Sequence, residues 1–368
     1  MGVGNQPAPI GAYNGLHIKR KGALAMNGAD SRDQVAILGK QGKMNSNSSQ
    51  RASLGNDEAN HAGSFVFKPF LSLDNQIEHL RDQGFSIDDE GDAKERLSSI
   101  NYYRLRGYWM SLECDGAIPA GTPLDLVFQT YSLDADLRLW VWNAIADIEL
   151  KMRSQFAYHF AKQCGPAAFL DPRYFKSRES HRRSIDSYTR ERNRAQKDKM
   201  PCVIHNLEKY GELPLWAAVE VMSMGTISSL YGNLINDQHA CLGSTATVSA
   251  VAKAFGFRAS IVKSWLQHLT TVRNICAHHG RFYNRVMRIR PKMLRRDAEW
   301  ASSKEFPTFL IIKRLYESSW PERWDAMASN LGRIIDSYPD VSLVPMGFPD
   351  CWREVLCVPD STGDGAVA

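Results

Sequence analysis

The 368-residue sequence has no apolar run near the roughly 18 residues that a membrane helix requires, and its N-terminus lacks the apolar core of a secretory signal. Neither export nor a membrane partner is expected. The seven cysteines, at 114, 164, 202, 241, 276, 351 and 357, are odd in number and include no C-x-x-C pair. That spacing disfavours a disulfide framework and a thiolate metal cluster and suits a reducing cytoplasm. Also missing are G-x-x-x-x-G-K-[ST], a strand-associated G-x-G-x-x-G, G-x-S-x-G and H-E-x-x-H. Walker-type nucleotide chemistry, dinucleotide binding, serine triads and zinc proteolysis are therefore unsupported. Strictly alternating, strand-like patterns are scarce.

What is present is enough apolar material for a core: 43% hydrophobic and 10% aromatic residues. It is unevenly placed. Residues 1–63 hold ten of the 26 glycines and the polar run Asn45 to Ser53, the composition of a disordered leader. Folding is expected from Ser64, with an N-terminal helical part over about 64–123 and a helical core over about 124–300. A helical extension at 301–340 and a tail at 341–368 complete the organisation. Ser72 reads as the N-cap of a helix ending near Gly84, and a second helix spans Asp88 to Ile100. Between Leu124 and Lys162, Leu133, Leu137, Trp140, Val141, Ala144, Ile148, Met152 and Phe156 recur at helical spacing, and two helices broken near Ser132 are expected. Further helical stretches are 214–234, interrupted at Gly225, then 249–279 and 306–336. The class is mainly α, a bundle of long helices.

The net charge of +5 is mild, but two blocks are strongly basic. Arg173 to Lys199 carries ten Lys or Arg against four acids, which reads as a solvated helix face. Arg273 to Arg296 carries eight with no acid, interleaved with Phe282 and Tyr283. Such a composition contacts phosphates and stacks bases. Tyr102, Tyr103, Tyr108 and Trp109 form another aromatic cluster that could stack bases, although core packing explains them more simply. Asp134 and Asp136 form a D-x-D that a metal could use, but a helix start rich in acids accounts for them equally.

The segment Arg273-Asn274-Ile275-Cys276-Ala277-His278-His279-Gly280-Arg281-Phe282-Tyr283-Asn284-Arg285 concentrates polar chemistry at the end of an otherwise apolar helix. Asn274 and His278 are four apart and share one face, the long arm of Arg273 can swing to the same side, and Ile275 and Cys276 face the core. If the helix continues through Gly280, Arg281 and Arg285 extend the stripe; otherwise Gly280 ends it. Imidazole can take a proton from a ribose 2′-hydroxyl or give one to a departing 5′-oxygen. A guanidinium can stabilise a phosphorane without a metal. The plain alternative is a helix C-terminus where cations suit the dipole. A looser pairing of Arg153 and His159 lies in a structural helix, where Glu149 and Arg153 read as an i,i+4 ion pair.

These residues, with Lys68-Pro69-x-Leu71-Ser72, Ile100-Asn101-Tyr102-Tyr103-Arg104-Leu105-x-Gly107-Tyr108-Trp109, Glu149-Leu150-Lys151-x-Arg153-Ser154-Gln155 and Leu213-Pro214-Leu215-Trp216 through Gly225-Thr226, occur in a recognisable order. Over roughly 66–300 the chain resembles the abortive-infection (Abi) D/F-type family of bacterial phage-defence proteins, within the HEPN superfamily. The resemblance implies an α-helical HEPN bundle in which an R-x4-H motif, here Arg273 to His278, cleaves RNA without metal or other cofactor, usually from a homodimer. On that reading Arg273, Asn274 and His278 are catalytic, and His279 is either a second candidate proton carrier or a core-facing or helix-capping histidine. Arg281, Arg285, Arg288 and Arg290 hold RNA. The alternative is a non-catalytic protein that binds a small structured RNA as scaffold or sensor. A bound small non-coding RNA and an inhibitory antitoxin partner are further expectations of the same kind.

Overall fold

A computed structural model describes residues 68–359 other than Gln238, so the glycine-rich stretch at 1–63 lies outside the described residues. Ser72 caps α1 (Leu73–Asp82) by accepting the Asn75 N–H at 3.2 Å, as its sequence position suggests. The two-residue strand β1 (Phe85–Ser86) leads to α2 (Glu90–Ser99), and Asn101 caps α3 (Tyr102–Trp109). A glycine- and proline-rich turn then reaches β2 (Thr122–Pro123), which pairs with β1 in parallel. After it come α4 (Leu124–Cys164), α5 (Arg178–Lys197), α6 (Pro201–Tyr210), α7 (Leu215–Val221), α8 (Met224–Asn233) and α9 (Leu242–Ala254). The series closes with α10 (Ala259–Ala277), α11 (Phe306–Ser319), α12 (Pro321–Asp336) and α13 (Trp352–Leu356). The fold is mainly α, a helical bundle with one two-residue strand pair.

The 41-residue α4 is its axis, about 60 Å long, packed against α3, α7, α9, α10, α11 and α12. The expected break near Ser132 does not occur. No glycine or proline interrupts residues 124–164, and α4 has buried positions in nearly every turn from Leu124 to Phe160, so burial overrides a weak propensity dip. Two other stretches divide instead. The helix expected over 249–279 is two, α9 starting earlier at Leu242, with a turn at Phe255–Arg258 in which Gly256 has φ +74°. The 306–336 stretch breaks at Trp320, before Pro321.

One cluster of buried side chains runs from Ile77 to Val358, so the boundaries expected at 123/124 and 300/301 do not divide the core. Residues 341–358, set apart in sequence as a tail, belong to it: Met346 and Leu356 are fully buried, and the Trp324 indole donates to the Leu356 carbonyl at 3.0 Å. Among the described residues no helix is long and apolar enough to cross a membrane, and no group of three or more His, Cys, Asp or Glu is placed to hold a metal ion.

Candidate active site

α10 buries Trp265, Leu269, Val272, Ile275 and Cys276 and leaves Asn274 and His278 exposed, as the 3.6-residue period requires. It ends at Ala277. The residue that turns the chain is His279, in the left-handed region at φ +52°, and not Gly280. The Gly280 N–H donates to the Ile275 carbonyl at 2.8 Å and the His279 N–H to that of Cys276 at 3.1 Å, completing a Schellman cap. Such a position favours glycine, and a histidine there costs on the order of 1 kcal/mol. Arg104 of α3 donates to the His279 carbonyl and holds the turn from outside.

Arg273 does not swing toward Asn274 and His278. Its guanidinium lies over the Trp142 ring, 4.8 Å from the centroid, and its Nε is 3.6 Å from Glu149 of α4. Glu149 also accepts from Arg153, the i,i+4 pair expected from sequence, and Arg153 donates to the Val219 carbonyl. One carboxylate thus faces two arginines. Burial pushes the Cys276 thiol up to about 12, so it is no thiolate nucleophile.

The segment after the helix departs from expectation. Phe282 and Tyr283 are buried, not offered to bases: Asp134 accepts both of their backbone N–H groups, at 3.0 and 2.6 Å. Asp134 also accepts from the Tyr108 hydroxyl at 2.7 Å and from Arg138 at 3.0 Å. Far from a helix start, it is the buried clasp between α3, α4 and the loop after α10. Burial nonetheless raises its carboxyl above the usual range, against these donors. Asp136, the other half of the D-x-D, accepts from the Tyr338 hydroxyl at 2.7 Å. Of the aromatic cluster, Tyr108 and Trp109 are in the core, Tyr102 is half-buried and Tyr103 is exposed.

The four further arginines are not alike. Arg281 is half-buried, donating to the Tyr283 and Asn284 carbonyls at 3.0 and 3.3 Å, and a Cβ on Gly107 would come within 3.0 Å of its Nε. It closes the turn, where presentation to a ligand had been expected. Arg285, Arg288 and Arg290 are exposed. The Arg285 backbone N–H donates to Glu305, whose carboxyl burial pushes up to about 8 and whose Oε2 has no hydrogen-bond partner.

Sequence reasoning passed over Trp142, Arg104 and Glu305, and saw in Glu149 only the partner of Arg153. Asp134 carried a readable signal, a charged residue on the apolar stripe of a helix with an arginine four residues on. The others depend on contacts across elements and carried none.

A family model described as Abi-like protein matches residues 95–284, just over half of the chain. The chain belongs to the Abi-like protein family. The match takes in α3, α4 and the segment from Arg273 to Asn284, and begins after the Lys68 to Ser72 block. Membership associates the protein with abortive-infection phage defence. No curated protein and no solved structure matches the chain.

Proposed function

We propose that this Abi-like protein is a metal-independent endoribonuclease of the HEPN type, with its site at the C-terminus of α10. The observation that carries the reading is the exposed pair Asn274 and His278, one turn apart, at a strained His279 turn; Arg273, their neighbour in sequence, is held on Trp142 and Glu149 and has to turn from them to reach a phosphate at that pair. An imidazole base removes the ribose 2′-hydroxyl proton, and the resulting oxygen attacks the adjacent phosphorus. Arg273 stabilises the pentacoordinate charge, Asn274 orients the reacting groups, and an imidazolium acid protonates the leaving 5′-oxygen. The products are a 2′,3′-cyclic phosphate and a 5′-hydroxyl. His278 is the first proton carrier. The second is His279 or His278 of a second copy, and exposed Leu139, Leu150 and Tyr158 on α4 give such a copy apolar area to cover. Arg285, Arg288 and Arg290 hold the RNA backbone, and Arg281 shapes the turn.

The test is incubation of the purified protein with total cellular RNA, with the new ends identified. Cleavage with cyclic phosphate ends should persist in excess EDTA. His278→Ala and Arg273→Ala should each lower it about a hundredfold or more without unfolding the chain. RNA that is retained but uncut points to a binding protein, and 5′-phosphate ends would overturn the mechanism. Mixed dimers carrying one His278→Ala subunit decide between the two sources of the second imidazole: activity near half means each chain cuts alone, and far less means a composite site.

A further inference from the structure

A second site of different character lies farther up α10. Between α5, α8, α10 and the irregular segment 289–292 is a cleft of about 880 Å³. Its walls are hydroxyl-rich, with Ser180, Ser228, Ser260 and Thr271 coming from three different helices, and its cations are Lys263, Arg290 and Lys292. No carboxylate lines it among the described residues. Lys263, Arg290 and Lys292 come together here with no acid between them, and gathering like charges costs free energy that a bound anion would offset. Lys263 records that cost: its ammonium is partly buried against the Tyr231 ring, 5.5 Å from the centroid. Burial, with Lys176 nearby, pulls it down to about 8. Hydroxyl donors with lysine and arginine cations and no acid are the chemistry that receives phosphoryl oxygens. The first turn of α5, whose Ser177 caps the helix at the cleft edge, adds a partial positive charge of the same sign.

We propose that this cleft is a binding site for phosphoryl groups, centred on Lys263 and sharing only Arg290 with the proposed RNA-holding residues, and that its ligand binds whether or not the chain cuts RNA. Two sources present that chemistry, the backbone of an RNA strand and a free phosphorylated small molecule such as a nucleotide. The stripe Gln267, Thr271, Asn274, His278 follows one face of α10 for about 16 Å, from the cleft wall to the helix end. A strand seated in the cleft therefore has a continuous polar path toward His278.

Calorimetric titration of the full-length protein with three probes tests the proposal: inorganic pyrophosphate, ATP and an uncleavable 2′-O-methyl RNA octamer. Two variants interrogate the cleft. Lys263→Met keeps the stem against Tyr231 and removes the charge. Gly232→Asp places a carboxylate at a lining position where a Cβ meets nothing within 4 Å, and Gly232→Ala is its control. At least one probe should bind with Kd below about 1 mM, and each charge variant should weaken it about tenfold, with Gly232→Ala unchanged. Loss confined to the octamer, with a salt slope reduced by about one, assigns the cleft to an RNA strand; loss confined to pyrophosphate or ATP assigns it to a small ligand. If no probe binds, or if binding ignores both charge variants in chains that melt like wild type, the proposal is wrong. Because no probe needs to be cut, absence of nuclease activity leaves this result readable.

Discussion

The two basic stretches hold their charges in opposite ways. In the first, α5 presents Arg178, Arg182, Arg183, Arg190, Arg194 and Lys197 to solvent, while His181, Ser184 and Tyr188 face inward. Its ion pairs, such as Arg183 with Glu179, are mostly exposed, and Arg192 with Glu212 is the more sheltered case. In the second, the helix stops at Ala277; Arg273, still inside it, is placed by α4, and each cation after it by what the loop touches. Arg273 is clasped by Trp142 and Glu149, Arg281 by two loop carbonyls, Arg285 is exposed but tied to the Arg281 carbonyl at 3.1 Å, and Arg288 and Arg290 are presented. A helix sorts its residues by period alone, so composition and spacing suffice to read it. A loop has no period, and its exposures follow from distant partners.

The contrast can be broken most severely at Asp134. Asp134→Ala removes the carboxylate that joins Tyr108, Arg138 and the backbone of Phe282 and Tyr283, and leaves Arg138 buried without a partner. A loss of about 3–5 kcal/mol in denaturant unfolding is expected. A mild effect would mean the loop after α10 is held elsewhere.

Next in size is Glu149→Gln, which leaves Arg153 and Arg273 facing a neutral amide. Stability should fall by about 1–3 kcal/mol. On the proposed nuclease reading Glu149 is a positioning residue, so its loss should also lower RNA turnover about ten- to a hundredfold through kcat with KM little changed, and Glu149→Asp should restore part of it. Equal effects on kcat and KM would instead assign Glu149 to RNA binding.

Glu305 sharpens the comparison through pH. Its folded-state value of about 8 lies above the ordinary 4.5, so between those values the folded chain keeps a proton that the unfolded chain has released. Folding stability from this group therefore falls as pH rises through that window. The melting temperature should drop more between about pH 5 and pH 9 in the wild type than in Glu305→Gln. Identical pH profiles would show that Glu305 is charged and satisfied.

His279 offers a smaller effect with two readouts. His279→Gly relieves the left-handed strain and should raise stability by about 1 kcal/mol or less. If His279 is a proton carrier, the same change lowers RNA cleavage; a variant that is more stable and fully active would reduce it to a helix cap. The smallest effect belongs to α5, where Arg182→Ala should stay within about 0.5 kcal/mol. A loss comparable to that of Asp134→Ala would erase the distinction between presented and clasped cations.

Much of the architecture was legible because it is periodic. The Ser72 cap, the inward faces of α4 and α10, the Glu149–Arg153 pair and the burial of Ile275 and Cys276 all follow from residues three or four apart. The misreadings share one cause. The continuity of α4, the packing of residues 341–358 and the burial of Phe282 and Tyr283 are set by neighbours distant in sequence.

The sequence by itself determined a mainly helical Abi-like chain with Asn274 and His278 on one helical face, since helix period and motif order are local properties of the string. Only the tertiary structure decided where the guanidinium of Arg273 rests, that His279 takes the turn, that Asp134 clasps the following loop, and that Lys263, Arg290 and Lys292 meet at one cleft. Each of these depends on elements brought together from more than twenty residues away. There the free energy of burying a charge or a donor selects its partner, and no local spacing records that selection.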